Sequence, residues 1–187
     1  MDDSQLIKAC KKKDRNAQKK LYEMYASKMM GVCLRYCKNE ETARDLLHDG
    51  FVQVFTHIGS FTGKGSFEGW LRRIFVNLAI ENYRLEKKKS WMITDIEQLE
   101  SDVSADSGSD YYIGDITQQE LLNLIKELPQ GYRTIFNLFV FEDMSHREIA
   151  ESLGINEAAS RSQFFRAKAL LQKRLNAILK SSNYYKK

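Results

Sequence analysis

Proline occurs once in this chain of 187 residues, at position 129. Proline breaks the interior of a helix and glycine weakens it, so a chain with one proline and ten glycines is free to build long helices. The apolar residues use that freedom. Leu21, Tyr25, Met29, Cys33 and Tyr36 recur every three or four positions, which is one face of a 3.6-residue period. Ala43, Leu47, Phe51, Val54 and Ile58 repeat the pattern, with Arg44, Asp45, Asp49 and Gln53 on the opposite face. The spacing predicts a helix over residues 3–37, ended at Asn39, and a second starting near Glu40. Three glycines within residues 59–65 make GSFTGKGSF a loop. A third helix follows over 67–88, with Phe67, Leu71, Ile74, Phe75 and Leu78 facing inward. Trp70, Arg73, Asn77 and Arg84 form a separate stripe on it. Three such helices can close on one another, so the fold class is all-α with a first domain over residues 1–92.

Charge divides the chain in the same places. Residues 1–93 hold 18 Lys and Arg against 11 Asp and Glu, residues 94–119 hold seven acids and no bases, and residues 120–187 hold 11 bases against seven acids. The stretch over 93–117 is acidic, rich in Ser, Asp and Gly, and without period. It reads as a flexible linker between two small helical domains, the second over 118–181. In that second domain Leu121, Leu122, Ile125 and Leu128 begin a helix that Pro129-Gln130-Gly131 stops. Two basic blocks flanking an acidic bridge suggest a polyanionic partner.

The sharpest local pattern is SHREIAESLGINEAASRSQFFRAKALLQKRL, residues 145–175. Ser145 and Glu148 form a capping box, Ile149, Ala150 and Leu153 an inner face, and Gly154 a turn. Asn156 caps a longer basic helix that runs to about residue 179. A short helix, a glycine turn and a basic helix are the parts of a helix-turn-helix. Its second helix would set its first turns, with Ser160, Arg161, Ser162, Gln163, Phe165 and Arg166, against base edges in the major groove. Phe164 reads as core. Lys168, Lys173 and Arg174 lie further along, toward phosphate or solvent.

ARDLLHDGFVQVF (43–55) and SFTGKGSFEGWLRRIFVNLAIENYR (60–84) resemble the promoter-melting domain of sigma factors, and residues 127–175 resemble their minus-35-binding domain. With this size and two-domain layout, the chain looks like an extracytoplasmic-function member of the sigma-70 family. The resemblance implies a factor that binds bacterial RNA polymerase core and directs promoter recognition, DNA melting and initiation. It implies that Asp45, Leu46, Asp49, Val52 and Phe55 dock on the polymerase, where Phe51 reads better as core. It implies that Phe61, Lys64, Trp70, Arg73, Asn77 and Arg84 hold a single-stranded minus-10 element. It assigns the duplex minus-35 element to Ser145, Arg161, Ser162, Gln163, Phe165 and Arg166. Many relatives carry Gly-Thr where this chain has Ala158-Ala159, and Arg where it has Gln163, which leaves the promoter sequence open. The acidic linker is expected to thread through the polymerase. An anti-sigma factor is a further expected partner.

Other classes are disfavoured by what the residues lack. No nucleophile–base signature for a recombinase or other enzyme is present, and no cofactor motif. Cys10, Cys33 and Cys37 form neither a disulfide framework nor a metal-finger spacing, so no metal is expected. The polar start MDDSQLIKACKKK and the absence of a long apolar run point to a cytoplasmic protein with no membrane insertion.

Overall fold

A computed structural model describes residues 3–91 and 117–184. The expected linker over 93–117 therefore lies, except for Thr117, outside the described residues. Those residues form eight α-helices and one 3-10 turn, with no strand among them. The helices are α1 (Asp3–Lys11), α2 (Arg15–Tyr36), α3 (Glu40–His57), α4 (Phe67–Trp91), α5 (Gln118–Lys126), α6 (Gln130–Phe141), α7 (His146–Leu153) and α8 (Glu157–Tyr184). The chain divides into two compact units, Met1–Asn82 and Tyr83–Lys187. No described helix is long and apolar enough to cross a membrane.

In the first unit the helix expected over 3–37 is broken in two. Lys13 takes a left-handed backbone (φ 62°), and Asp14 turns outward to cap α2, its Oδ1 accepting from the Ala17 amide at 2.8 Å. A cap satisfies a donor that a continuous helix would have satisfied internally, so the local sequence offers an equally good alternative to the long helix. Asn39 caps α3 as expected, accepting from the Thr42 amide at 2.9 Å. The core is drawn from one stripe per helix: Leu6 and Cys10 of α1; Leu21, Tyr25, Met29 and Cys33 of α2; Leu47, Phe51 and Val54 of α3; Phe67, Leu71 and Phe75 of α4. Ile74 and Leu78 are only half-buried, and Val76, Ala79 and Ile80 complete the buried stripe instead.

Gly50 sets how closely α3 meets α4. A Cβ there would lie 2.0 Å from Cε1 of Phe75, far inside van der Waals contact. The ring of Phe75 is fully buried and packs edge-on against Phe51, with centroids 5.5 Å apart.

In the second unit Thr117 and Glu120 form a capping box on α5. Leu124, Ile125 and Leu128 are buried, whereas Leu121 is exposed. Pro129 begins α6 as its N-cap. The missing amide of proline costs nothing at a helix start, where amides lack intrahelical partners anyway. Arg133 is buried on α6, and its Nη1 donates to the Lys126 carbonyl at 2.8 Å. That contact places a cation on the carbonyl end of α5, the favourable end of its dipole.

Candidate nucleic-acid interface

The second unit builds a helix-turn-helix from local signals. The Ser145 hydroxyl donates to the Glu148 carboxylate at 2.7 Å and accepts from the Glu148 amide at 3.3 Å; the Ser145 amide donates back to that carboxylate at 2.8 Å. These bonds hold the Glu148 carboxyl below its usual range. Gly154 ends α7 in the left-handed region (φ 65°), and Asn156 caps α8, accepting from the Ala159 amide at 2.7 Å. The turn thus fixes the angle at which α8 leaves.

The first turns of α8 separate into two faces. Inward, Ala167 is fully buried and Phe164 sits among Phe136, Phe139 and His146, with ring centroids 6.0, 4.4 and 5.6 Å away. Ser160, expected among the base-facing residues, is fully buried with its Oγ 3.0 Å from His146 Nδ1. It braces α7 against α8 and presents nothing to DNA. His146 stacks on Phe139 at 4.6 Å. Its desolvation, and then the nearby Arg161, push its pKa down and favour the neutral ring.

Outward, Arg161, Ser162, Phe165 and Arg166 are exposed along one side of α8, and Gln163 is half-buried beside them. Phe165 is 58% exposed, an unusual place for a phenyl ring unless something apolar meets it. Arg161 pairs with Glu157 on its own helix, a surface pair that a guanine edge or a phosphate can replace at little cost. The hydroxyl of Ser145 is exposed at the start of α7 but is committed to the cap.

In the first unit the loop over 61–66 is fastened at both ends. Lys11 Nζ donates to the Phe61 carbonyl at 2.7 Å, and Ser66 Oγ accepts from the Gly69 amide at 3.0 Å at the start of α4. Lys28 of α2 pairs with Glu68 at 2.5 Å. Between these ties Gly63 and Gly65 both hold φ 81°, where a Cβ would be strained, and Lys64 projects from between them. The ring of Phe61 is only 9% exposed. It packs on Phe67 at 5.1 Å and on Trp70 at 5.6 Å, so it walls the loop from inside and offers no face for a base to stack on. Trp70 is half-buried and stacks on Phe67 at 5.5 Å; Arg73 and Asn77 are exposed along α4, and so is Arg84 further along the same helix, past the end of this unit at Asn82. The tie from Lys11 spans 50 residues and has no signature in the sequence.

On α3, Asp45, Asp49 and Val52 are exposed at helical spacing, Val52 by 51%, with half-buried Phe55 at the end of the row. Leu46, expected on this face, is 2% exposed and belongs to the core, as does Phe51. Tyr22 of α2 adds an exposed ring beside the row, 4.6 Å from the ring of Phe51. Cys33 is fully buried, which pushes its thiol up to about 12 and keeps it protonated. Among the described residues no group of three or more His, Cys, Asp or Glu side chains comes together as a metal site.

These two constructions coincide with two family matches. Residues 21–89 match the model of sigma-70 region 2, and residues 118–171 match that of sigma-70 region 4. The chain is 27% identical to the RNA polymerase sigma-H factor of Pseudomonas aeruginosa, over 96% of this chain and 97% of that protein. It is 28% identical to the ECF RNA polymerase sigma factor SigW of Bacillus subtilis, over 90% and 94%. Among solved structures it resembles the sigma factor RpoE in complex with the anti-sigma factor NepR from Bartonella quintana, at a TM-score of 0.50 and 20% identity, over 84% of this chain and 96% of that one; this supports the fold. With both regions present in one chain, and with these relatives matching nearly its whole length, the chain belongs to the sigma-70 family as a small factor of the extracytoplasmic-function type.

Proposed function

We propose the following division of labour within a promoter-recognising sigma factor. The row Asp45, Asp49, Val52 and Phe55, with Tyr22 beside it, docks on RNA polymerase core. Its mixture of carboxylates and apolar groups suits a basic and partly apolar partner. The tethered loop and the row Trp70, Arg73, Asn77 and Arg84 take up the minus-10 strand once it is unpaired. Lys64 and the arginines meet phosphate, while the two left-handed glycines let the backbone come close to an extruded base. On α8, Arg161, Ser162, Phe165 and Arg166 read duplex minus-35 DNA in the major groove, with Gln163 at the margin. Ser145 positions this helix pair through its cap. The protein performs no chemistry of its own and works in the cytoplasm.

The observation that carries this reading is the coexistence of two different DNA-facing devices in one chain. A helix-turn-helix serves duplex DNA; an aromatic-walled glycine loop running into an exposed Arg/Asn row serves an unpaired strand. A stand-alone repressor needs only the first. Because RpoE is found in complex with an anti-sigma factor, we also propose that a protein inhibitor controls this chain by covering the α3 row.

The test is size-exclusion chromatography of the full chain with bacterial core polymerase at moderate salt. Co-elution is expected, and Asp45→Lys/Asp49→Lys should abolish it while leaving the helical content unchanged. A chain that binds duplex DNA but never co-elutes with core would contradict the proposal.

A further inference from the structure

We propose that the turn between α1 and α2 is an additional DNA-contact surface, gripping backbone phosphates of the promoter strand next to the loop over 61–66; this rests on the reading of that loop as the receiver of an unpaired strand.

Residues 8–20 carry seven Lys and Arg against the single acid Asp14, and so hold most of the positive surplus of residues 1–93. The carboxylate of Asp14 is occupied in capping α2. Helix electrostatics account for part of this cluster. Lys8 and Lys11 stand at the carbonyl end of α1, where cations are favoured. The rest runs against it. Arg15 opens α2 at its positive end, where the capping Asp14 is the one acid and none follows in the first turn. Lys13 holds a left-handed backbone that glycine or asparagine adopts at lower strain. Lys12, Lys13, Arg15 and Lys20 are exposed and make no ion pair among the described residues. The cluster therefore repels itself in the free protein, and a polyanion relieves that repulsion.

The turn is also rigidly placed. The amides of Lys12, Lys13 and Asp14 donate to the carbonyls of Ala9, Cys10 and Ala9 at 3.0, 2.9 and 3.2 Å. Lys11, the residue that leads into the turn, donates to the Phe61 carbonyl at the mouth of the loop. The exposed cations thus begin one residue from the loop's own anchor. A strand that delivers a base to residues 61–66 brings its neighbouring phosphates to them. None of these groups reads a base edge, so the surface adds affinity without sequence preference.

The test uses holoenzyme reconstituted from core polymerase and the full chain, on a promoter fragment mapped with the wild-type factor. Lys12→Gln/Lys13→Asn/Arg15→Gln removes three cations and leaves Lys11 in place. The plot of log affinity against log salt should become shallower by about two to three units, roughly one for each phosphate no longer neutralised, and affinity at physiological salt should fall about tenfold or more. The charge-retaining variant Lys12→Arg/Lys13→Arg/Arg15→Lys should keep the wild-type slope. An unchanged slope in the neutralised variant, with core still bound, would overturn the proposal. If that slope is unchanged and the variant instead loses binding to phosphatidylserine vesicles, the surface belongs to a membrane and the proposal fails. A wild-type holoenzyme that opens no promoter at all would overturn the underlying reading, and the proposal with it.

Discussion

Replacing glycine by alanine should have opposite effects at two positions in the first unit. On a helix the change normally stabilises by about 0.5–1 kcal/mol, because alanine loses less backbone freedom on folding. Gly31 on α2 offers that case, since nothing lies within 4 Å of an added Cβ. At Gly50 the same methyl would meet Cε1, Cδ1 and Cζ of Phe75 at 2.0, 2.5 and 2.5 Å. Ordinary carbon contacts are about 3.5–4.0 Å, so α3 and α4 must separate or the ring must move. The ring is fully buried and abuts Phe51, which leaves it nowhere to turn. Overpacking of this kind costs about 1–3 kcal/mol, and an overlap this deep lies at the upper end. Set against the helix gain of about 1 kcal/mol, the net loss is about 2 kcal/mol. Thermal unfolding followed by circular dichroism should show Gly50→Ala lowering the transition of this unit by roughly 10 °C. Gly31→Ala should raise it by a few degrees. A Gly50→Ala protein as stable as Gly31→Ala would show that α3 and α4 do not pack through this glycine.

Three further outcomes follow from the two interfaces. Ser145→Ala removes both the acceptor for the Glu148 amide and a partner of the Glu148 carboxylate, and should cost about 1 kcal/mol in urea unfolding. His146 has its pKa lowered in the folded protein, so its contribution is present above the ordinary value of about 6.5 and lost as pH falls through the lower folded value. Urea midpoints of the wild type should therefore drop between roughly pH 7 and 5, and His146→Phe, which keeps an aromatic ring against Phe139 and Phe164, should flatten that limb. Lys11→Met keeps the apolar stem but deletes the donor to Phe61. Fluorescence of 2-aminopurine in the minus-10 element of a holoenzyme complex should report weaker base capture with core association intact, and Lys11→Arg should restore much of it.

Local signals in the sequence correspond closely to local structure. The capping boxes, the left-handed Gly154 and the Asn156 cap involve residues within four positions of each other, so their chemistry is visible in the residue types alone. Helical period also separates Phe51 and Phe164 from the exposed residues around them. It does less well where a third element decides which edge of a stripe is covered. Leu46 and Ser160 adjoin exposed faces yet are buried, while Leu121 lies on an apolar stripe yet is exposed. Phe61 opens the loop and so invites assignment to a base, but the aromatic residues that follow on α4 draw its ring inward. The break at residues 12–14 escapes the period because one left-handed lysine and one competing cap are enough to end a helix. The contacts from Lys11 to Phe61 and from Gly50 to Phe75 cross between elements far apart in the chain, and no spacing rule can announce them.

The most direct measurement of the central claim is promoter opening by core polymerase with and without this chain. Core and protein are incubated with genomic DNA fragments, start sites are mapped by run-off transcription, and unpaired thymines are located with permanganate. Discrete transcripts and reactive thymines just upstream of each start are expected, both absent with core alone and both lost with Arg73→Ala/Asn77→Ala. Protein that binds duplex fragments yet yields no transcript and no reactive thymine with core would contradict it.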